Sequence, residues 1–377
     1  LFSNPNLVTN SVQQYIFIST VYTLWGMTYT LMDIPFWSMI PSLSSLQSDR
    51  ESVTILTRLF TSIGFFIVSA GYLVFAKMLG GGDTSEAKVK GLFIFAIIVS
   101  VVFVVTQIIT VTNVKEKIVV VNENKTTLRE MFRILKENDQ LLVVMIVVLV
   151  INFTLYITSG MAIYYMVYDI GNEDLFFSFM AAGGVLQVVG AVTYGLLSSR
   201  LKRKQIFNFA IAIQFVGFVL LFINAFVLDS NILLLFLFAA LIFYGQGTFN
   251  VLQTVLLSDT VEYGELKIGV RSEAVAFSVQ TFVVKLATGL SLGVIGIGLA
   301  IINFAEPREV NGQITEFVQS EGTLFGMKIM MFILPVFGLI LSRYIFNKKH
   351  IIDEPTYENI VKQLNEKRGE AGGEQQA

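Results

Sequence analysis

Asp33 lies four residues after Tyr29 and four before Trp37, with Thr30 and Pro35 beside it, in an otherwise apolar stretch. On a helix, Tyr29, Asp33 and Trp37 share one face. Such a strip, with an acid and an aromatic on one face, points to a polar site rather than to a face that only packs. Pro35 removes the backbone bond to the carbonyl of Leu31. Irregularity of that kind is tolerated in a membrane where a cavity is lined. Lys285 is the second deep charge, the fourteenth residue of the apolar run from Ser272, with Gln280 and Thr281 close by. A charge at a helix centre costs about 2.5–3.5 kcal/mol on insertion scales, and neither side chain reaches an interface from its depth. Each can be a site residue or a structural one, Asp33 bonded to a neighbouring helix and Lys285 in an ion pair. Asp33 is the only carboxylate of comparable depth, so the sequence suggests that the two meet. Arg58 lies about six residues inside its span and can snorkel; position alone leaves its role open.

The elements that must hold these residues are membrane helices. The chain has 377 residues, 54% of them hydrophobic and 14% charged, and a mean hydropathy of +0.69. A soluble domain carries about 25% charge. Runs long enough to cross a bilayer lie near 12–43, 53–78, 91–112, 141–168, 175–199, 205–228, 231–258, 272–303 and 324–346. The expected fold is an all-α integral membrane bundle of about nine transmembrane helices. Lys and Arg concentrate in alternate connections: Arg50, then Lys115 to Lys136, then Arg200 to Lys204, then Lys267 and Arg271, then the tail. The positive-inside rule makes these cytoplasmic, and the C-terminus with them. The basic connection 114–140, partly helical over Thr127 to Glu137, divides residues 1–113 from a six-span bundle at 141–347. The tail, 348–377, reads as a short helix followed by disorder. The apolar start at Leu1 suggests a chain that begins partway through a longer protein.

The remaining features read mostly as structure. Gly289 and Gly293 form a close-packing GxxxG spacing. Asp169, Asp174 and Asp229 fall at span ends, where water would solvate them. Asn152, Thr154, Tyr156, Thr158 and Ser159 either line a pore or bond between helices. The segment Ser258–Ala274 holds Asp259, Glu262, Glu265 and Glu273 with Lys267 and Arg271. It is an ordinary solvated turn or a set of ion pairs to Arg50 and the Arg200–Lys204 cluster, closing one side of a carrier. With no cysteine and one histidine, His350, disulfides and thiolate, zinc or haem sites are not expected. The net charge of −2 offers no basic surface for nucleic acid. No P-loop, HExxH or nucleophile elbow points to an enzyme.

The stretches "LWGMTYTLMDIPFWSMIPSL", "GMAIYYMVYDIG", "SDTVEYGELK" and "AFSVQTFVVK" resemble, in the same order, the glycoside–pentoside–hexuronide:cation symporters, most of all the melibiose permease branch. The resemblance covers about Leu1 to Asn347. It implies a major facilitator-type bundle of which this chain holds helices four to twelve. It also implies a sugar:cation symporter working by alternating access, functional as a monomer in the cell membrane. Tyr29, Asp33, Trp37 and Arg58 would then hold the sugar from one bundle. Gln280, Thr281, Val284 and Lys285 would hold it from the other. Thr30, Asp33 and Lys285 would couple Na⁺, Li⁺ or H⁺, with no other cofactor. Arg50, Arg203, Asp259, Glu262 and Arg271 would fall on cytoplasmic gate positions. Asn250 stands where the melibiose branch carries a tryptophan, which weakens melibiose itself as the substrate. The alternatives are a same-fold carrier for another solute, such as a lysolipid, or a fragment that does not transport.

Overall fold

The computed structural model describes residues 11–43, 47–82, 84–114, 128–228, 230–271, 273–305, 308–310, 313–315 and 318–374. The side chains of Trp37, Arg50 and Arg58 lie outside the described set, as does Asp229. In hydrocarbon no water satisfies a peptide group, so each span closes its own backbone bonds as a helix. Among the described residues, seven helices are long and apolar enough to cross a membrane.

The chain divides into two compact units, Leu1–Asn124 and Lys125–Ala377. In the first, α1 (Ser11–Leu43), α2 (Gln47–Gly80) and α3 (Ser85–Asn113) follow one another. α1 and α2 have 33 and 34 residues, about 50 Å each at 1.5 Å per residue. α1 runs unbroken through Pro35, so the missing backbone bond is absorbed within the helix. α2 and α3 meet closely, with Phe75 stacked on Phe95 at 4.9 Å. Gly91 lies against the carbonyl of a fully buried Ala76.

The second unit opens with α4 (Leu128–Glu137), a short amphipathic helix with Ile134 buried and Arg133 exposed. α5 (Asp139–Tyr164) continues as a π-helical turn over Tyr165–Ile170, which ends at Gly171 with φ of 79°. α6 (Asp174–Ser198), α7 (Arg203–Val227), α8 (Ile232–Ile268) and α9 (Glu273–Ile301) follow. The last span is one continuous helix, α10 (Glu321–Lys328), a π turn at Ile329–Ile333 and α11 (Leu334–Lys349). α8 packs on α6 and α7, and α5 on α9 and α11. One apolar core runs through these helices, including Ile151, Tyr165, Phe207, Phe249 and Phe332.

Three features depart from the sequence reading. A two-stranded antiparallel hairpin, β1 (Arg308–Val310) and β2 (Gln313–Thr315), interrupts the helical fold, with Arg308 opposite Thr315. The tail is a long helix, α12 (Glu354–Glu374). Ile352, Ile360 and Leu364 are buried there against Tyr263, Leu266 and Tyr357. This apolar stripe, set among charged residues, docks the tail on the end of α8. Finally, among the described residues a Cβ on Gly289 or Gly293 would meet nothing within 4 Å, whereas one on Gly190 or Gly247 would strike the facing backbone at Tyr244 or Gln187. Between α6 and α8, Gly190 and Gly247 are the small residues that allow the close approach.

Overpacking a tight contact costs about 1–3 kcal/mol. Gly247→Val should lower the melting temperature of the purified protein in detergent by several degrees, and Gly289→Val should leave it unchanged. Equal melting of the two variants would contradict this packing.

Candidate functional site

On α1 the Tyr29 hydroxyl donates to Asp33 Oδ1 at 3.3 Å, and both side chains are half-buried. Trp25 stacks on Tyr29 at 5.8 Å. Thr30 donates to the carbonyl of Gly26 at 2.8 Å, leaving its oxygen lone pairs for another partner. On α9, Gln280 is buried, Thr281 and Val284 are half-buried, and Lys285 is exposed. Val284 packs against the apolar core, and its carbonyl accepts from Thr288 at 3.0 Å. Asp33 belongs to the first unit and Lys285 to the second. On α8, Asn250 is half-buried and accepts from Gln246 Nε2 at 3.2 Å.

The second unit has a charged cluster where α7, α8 and α12 converge. Arg203 Nη1 lies 2.7 Å from Asp259 Oδ2, with side chains 21% and 2% exposed. Arg203 sits at the start of α7, so its backbone N–H has no intrahelical acceptor. Glu354 Oε1, from the start of α12, accepts from it at 2.6 Å. The guanidinium lies over the Tyr357 ring at 4.6 Å, and Tyr357 donates to Glu262 Oε2 at 3.3 Å. Burial, with the Glu262 and Asp259 carboxylates near, pushes the Tyr357 phenol up to about 12. Arg271 pairs with Glu265 at 3.1 Å and with Glu273. Glu265 and Glu273 thus pair within their own turn, whereas Asp259 pairs with Arg203 of the Arg200–Lys204 cluster. Neighbouring Asn138 caps α5 at the N–H of Leu141 (3.0 Å) and donates to the Thr260 carbonyl at 2.8 Å. That bond ties the start of α5 to the end of α8. His350 stacks on Phe346 at 4.4 Å. Burial, then the charges of Lys204 and Arg203, push its imidazole down to about 4.

The opposite end of the same unit holds a network that the sequence reading missed. Asp169 Oδ1 lies 3.0 Å from Lys328 Nζ, with side chains 6% and 18% exposed. Lys328 also donates to the Ala225 carbonyl at 3.1 Å. Ser230 donates to Asp169 Oδ2 at 3.2 Å and accepts from Tyr165 at 2.8 Å. Asp169 is inside one π turn, and Lys328 immediately precedes the other. One network thus joins α5, the α7–α8 turn and the last span. Asp169 is partnered in the protein, not solvated. The available signal was Lys328, a charge inside an apolar run that requires a counter-ion.

Asn152, Thr154 and Thr158 are buried and bond to carbonyls of their own helix at 2.8, 2.7 and 3.0 Å. These bonds stay within α5 and do not run between helices. Among the described residues, no group of three or more His, Asp or Glu is placed to hold a metal ion.

With this architecture in place, comparison with known proteins is direct. The chain belongs to the MFS/sugar transport protein family, which it matches over residues 1–347. It is a multi-pass membrane protein. It is 26% identical to the raffinose carrier protein of Pediococcus pentosaceus, over 94% of this chain and 54% of that protein. It is 28% identical to a lactose permease of Lactobacillus delbrueckii subsp. bulgaricus, over 96% and 57%. It is 26% identical to an uncharacterised symporter of Bacillus subtilis, over 97% and 76%. The chain spans about half the length of the first two relatives.

Two outcomes follow from the two ends of the second unit. Removing one member of a buried ion pair costs about 3–5 kcal/mol. Lys328→Met should therefore lower thermal stability in detergent markedly, and adding Asp169→Asn should restore much of it. Full additivity of the two losses would contradict the pair. For His350, a folded value near 4 against an ordinary 6.5 means that the unfolded chain binds the proton more readily. Its contribution to stability is present above pH 6.5 and is lost as pH falls toward 4. His350→Phe keeps the stack, and should reduce the fall in melting temperature between pH 7 and pH 5.

Proposed function

We propose that the chain works in a sugar:cation symporter of the cell membrane that operates by alternating access, with its C-terminus in the cytoplasm. The observation that carries this reading is a carboxylate hydrogen-bonded to a phenol, Asp33 and Tyr29, on a long apolar helix of a sugar transport family member. In this reading residues 1–113 and 141–347 contribute to two bundles, 114–140 links them, and 348–377 is the cytoplasmic tail.

Asp33 accepts from two sugar hydroxyls, Arg58 donates to two, and Trp37 covers the apolar face of the ring. Gln280, Thr281, Val284, Lys285 and Asn250 are the sugar-binding residues of the second unit. Asp33, the Thr30 hydroxyl and Lys285 couple Na⁺, Li⁺ or H⁺. A cation that favours the sugar-binding state is itself held more tightly when sugar is bound, by the same factor. Arg203, Asp259, Glu262, Arg271 and Arg50 close the cytoplasmic side. The buried Arg203–Asp259 pair and its roof, Tyr357 and Glu354, supply the physical basis for that assignment. The protein acts as a monomer.

The test is counterflow of labelled galactosides in membrane vesicles carrying the full-length protein, with and without Na⁺, Li⁺ or a proton gradient. Cation-dependent exchange of at least one sugar is expected. Truncating a desolvated, hydrogen-bonded charge costs about 2–5 kcal/mol, so Asp33→Asn should cut exchange by roughly 30-fold or more. Normal accumulation by that variant would remove Asp33 from the site. A panel with no transported sugar and with lysolipid uptake would replace the substrate class.

A further inference from the structure

We infer that Gln246 is a positioning residue: it sets which way the Asn250 amide faces, and thereby which substrate group α8 recognises. The inference rests on the sugar-carrier reading above. Gln246, Asn250 and Gln253 stand at i, i+4 and i+7 and form a row of amides along one side of α8.

Gln246 is fully buried, and residues 245–249 around it are buried with it. Asn250 lies on the edge of α8 that its own unit leaves partly open, together with Val251, Thr254 and Val255, and Ser258 beyond them is exposed. Gln246 Nε2 donates to Asn250 Oδ1 at 3.2 Å. Among the described residues, Gln246 Oε1 is buried without a hydrogen-bond partner, as is Gln253 Oε1. Reversing both amides would leave the Gln246 NH₂ buried instead, and an under-satisfied carbonyl is tolerated better than an orphaned N–H. Gly245 and Gly247 hold α8 close to Gln214 on α7 and to the Gln187 backbone on α6. The helix therefore cannot withdraw to expose Gln246.

With Oδ1 engaged, Asn250 presents its two Nδ2–H donors on the open edge. Such a group recognises an acceptor oxygen, a hydroxyl or a glycosidic oxygen of a sugar, and takes no part in covering an apolar ring face. For a sugar carrier, that donor pair selects an oxygen at one defined position of the substrate and discriminates against the deoxy analogue that lacks it. Gln246 itself touches no substrate and acts only through Asn250.

The experiment measures counterflow KM and Vmax in vesicles carrying the full-length protein, for a sugar that the wild type carries and for its series of monodeoxy analogues. Gln246→Met, apolar and similar in volume, should raise KM roughly tenfold with Vmax nearly unchanged. It should also relax discrimination against a single deoxy position. Asn250→Asp keeps the acceptor for Gln246 but removes the outward N–H, and should relax the same position. In an Asn250→Ala background, Gln246→Met should add nothing further. Additive losses in that background, or intact selectivity in Asn250→Asp, would overturn the positioning role while leaving the carrier reading in place. A wild-type protein that carries no sugar overturns that reading and this inference with it.

Discussion

A polar or charged group drawn into hydrocarbon must find its partner inside the protein, because no water is there to serve. The second unit is organised around that requirement. Asp169 and Lys328 neutralise one another at one end, and Arg203 and Asp259 do so at the other. Between them, buried Asn152, Thr154 and Thr158 turn back on their own helix carbonyls. The two ion pairs fix the helices they join more narrowly than apolar contact could, since an ion pair tolerates far less displacement than a packed methyl group.

The two ends meet the constraint differently. At the Asp169–Lys328 end the backbone itself gives way: both helices widen into π turns beside the pair. A π turn inserts a residue into the helical register and commonly marks a site where a side chain must be re-aimed. At the Arg203–Asp259 end a tail helix is recruited instead. Glu354 caps α7, and Tyr357 covers the guanidinium while bonding Glu262. Apolar Ile360 and Leu364 seat the same helix on α8. The tail shields the ion pair from water, which strengthens it, and the pair in turn gives the tail a fixed anchor.

A symporter of the proposed kind needs polar groups that the protein leaves partly unsatisfied, so that a solute completes them. α8 has that character. Its glycines bring it against α6 and α7, and its amides end in a half-buried Asn250 whose acceptor is already engaged. On α1, Asp33 is a half-buried carboxylate that accepts from Tyr29. Tight helix packing and incomplete hydrogen bonding are complementary here: the first prevents the backbone from relaxing to satisfy the second.

Much of this protein was legible from residue type and spacing alone. Long apolar runs dictate helices because each peptide group must bond locally, and the family was readable from ordered motifs such as "LMDIPFWS" and "AFSVQTFVVK". The linker helix was also readable, since Leu128–Glu137 alternates apolar and charged faces. Asp169 was not, because a carboxylate at a span end looks solvated until the chain returns, well over a hundred residues later, with Lys328. Nor could spacing show that Gly190 and Gly247 touch a facing backbone while Gly289 and Gly293 meet none within their unit. The tail's docking depended on an apolar stripe that a charged composition conceals. Sequence determined which groups require a partner, for that follows from the chemistry of each residue in hydrocarbon. Tertiary structure alone decided which partner each received, because pairing depends on distances between helices that local sequence does not encode.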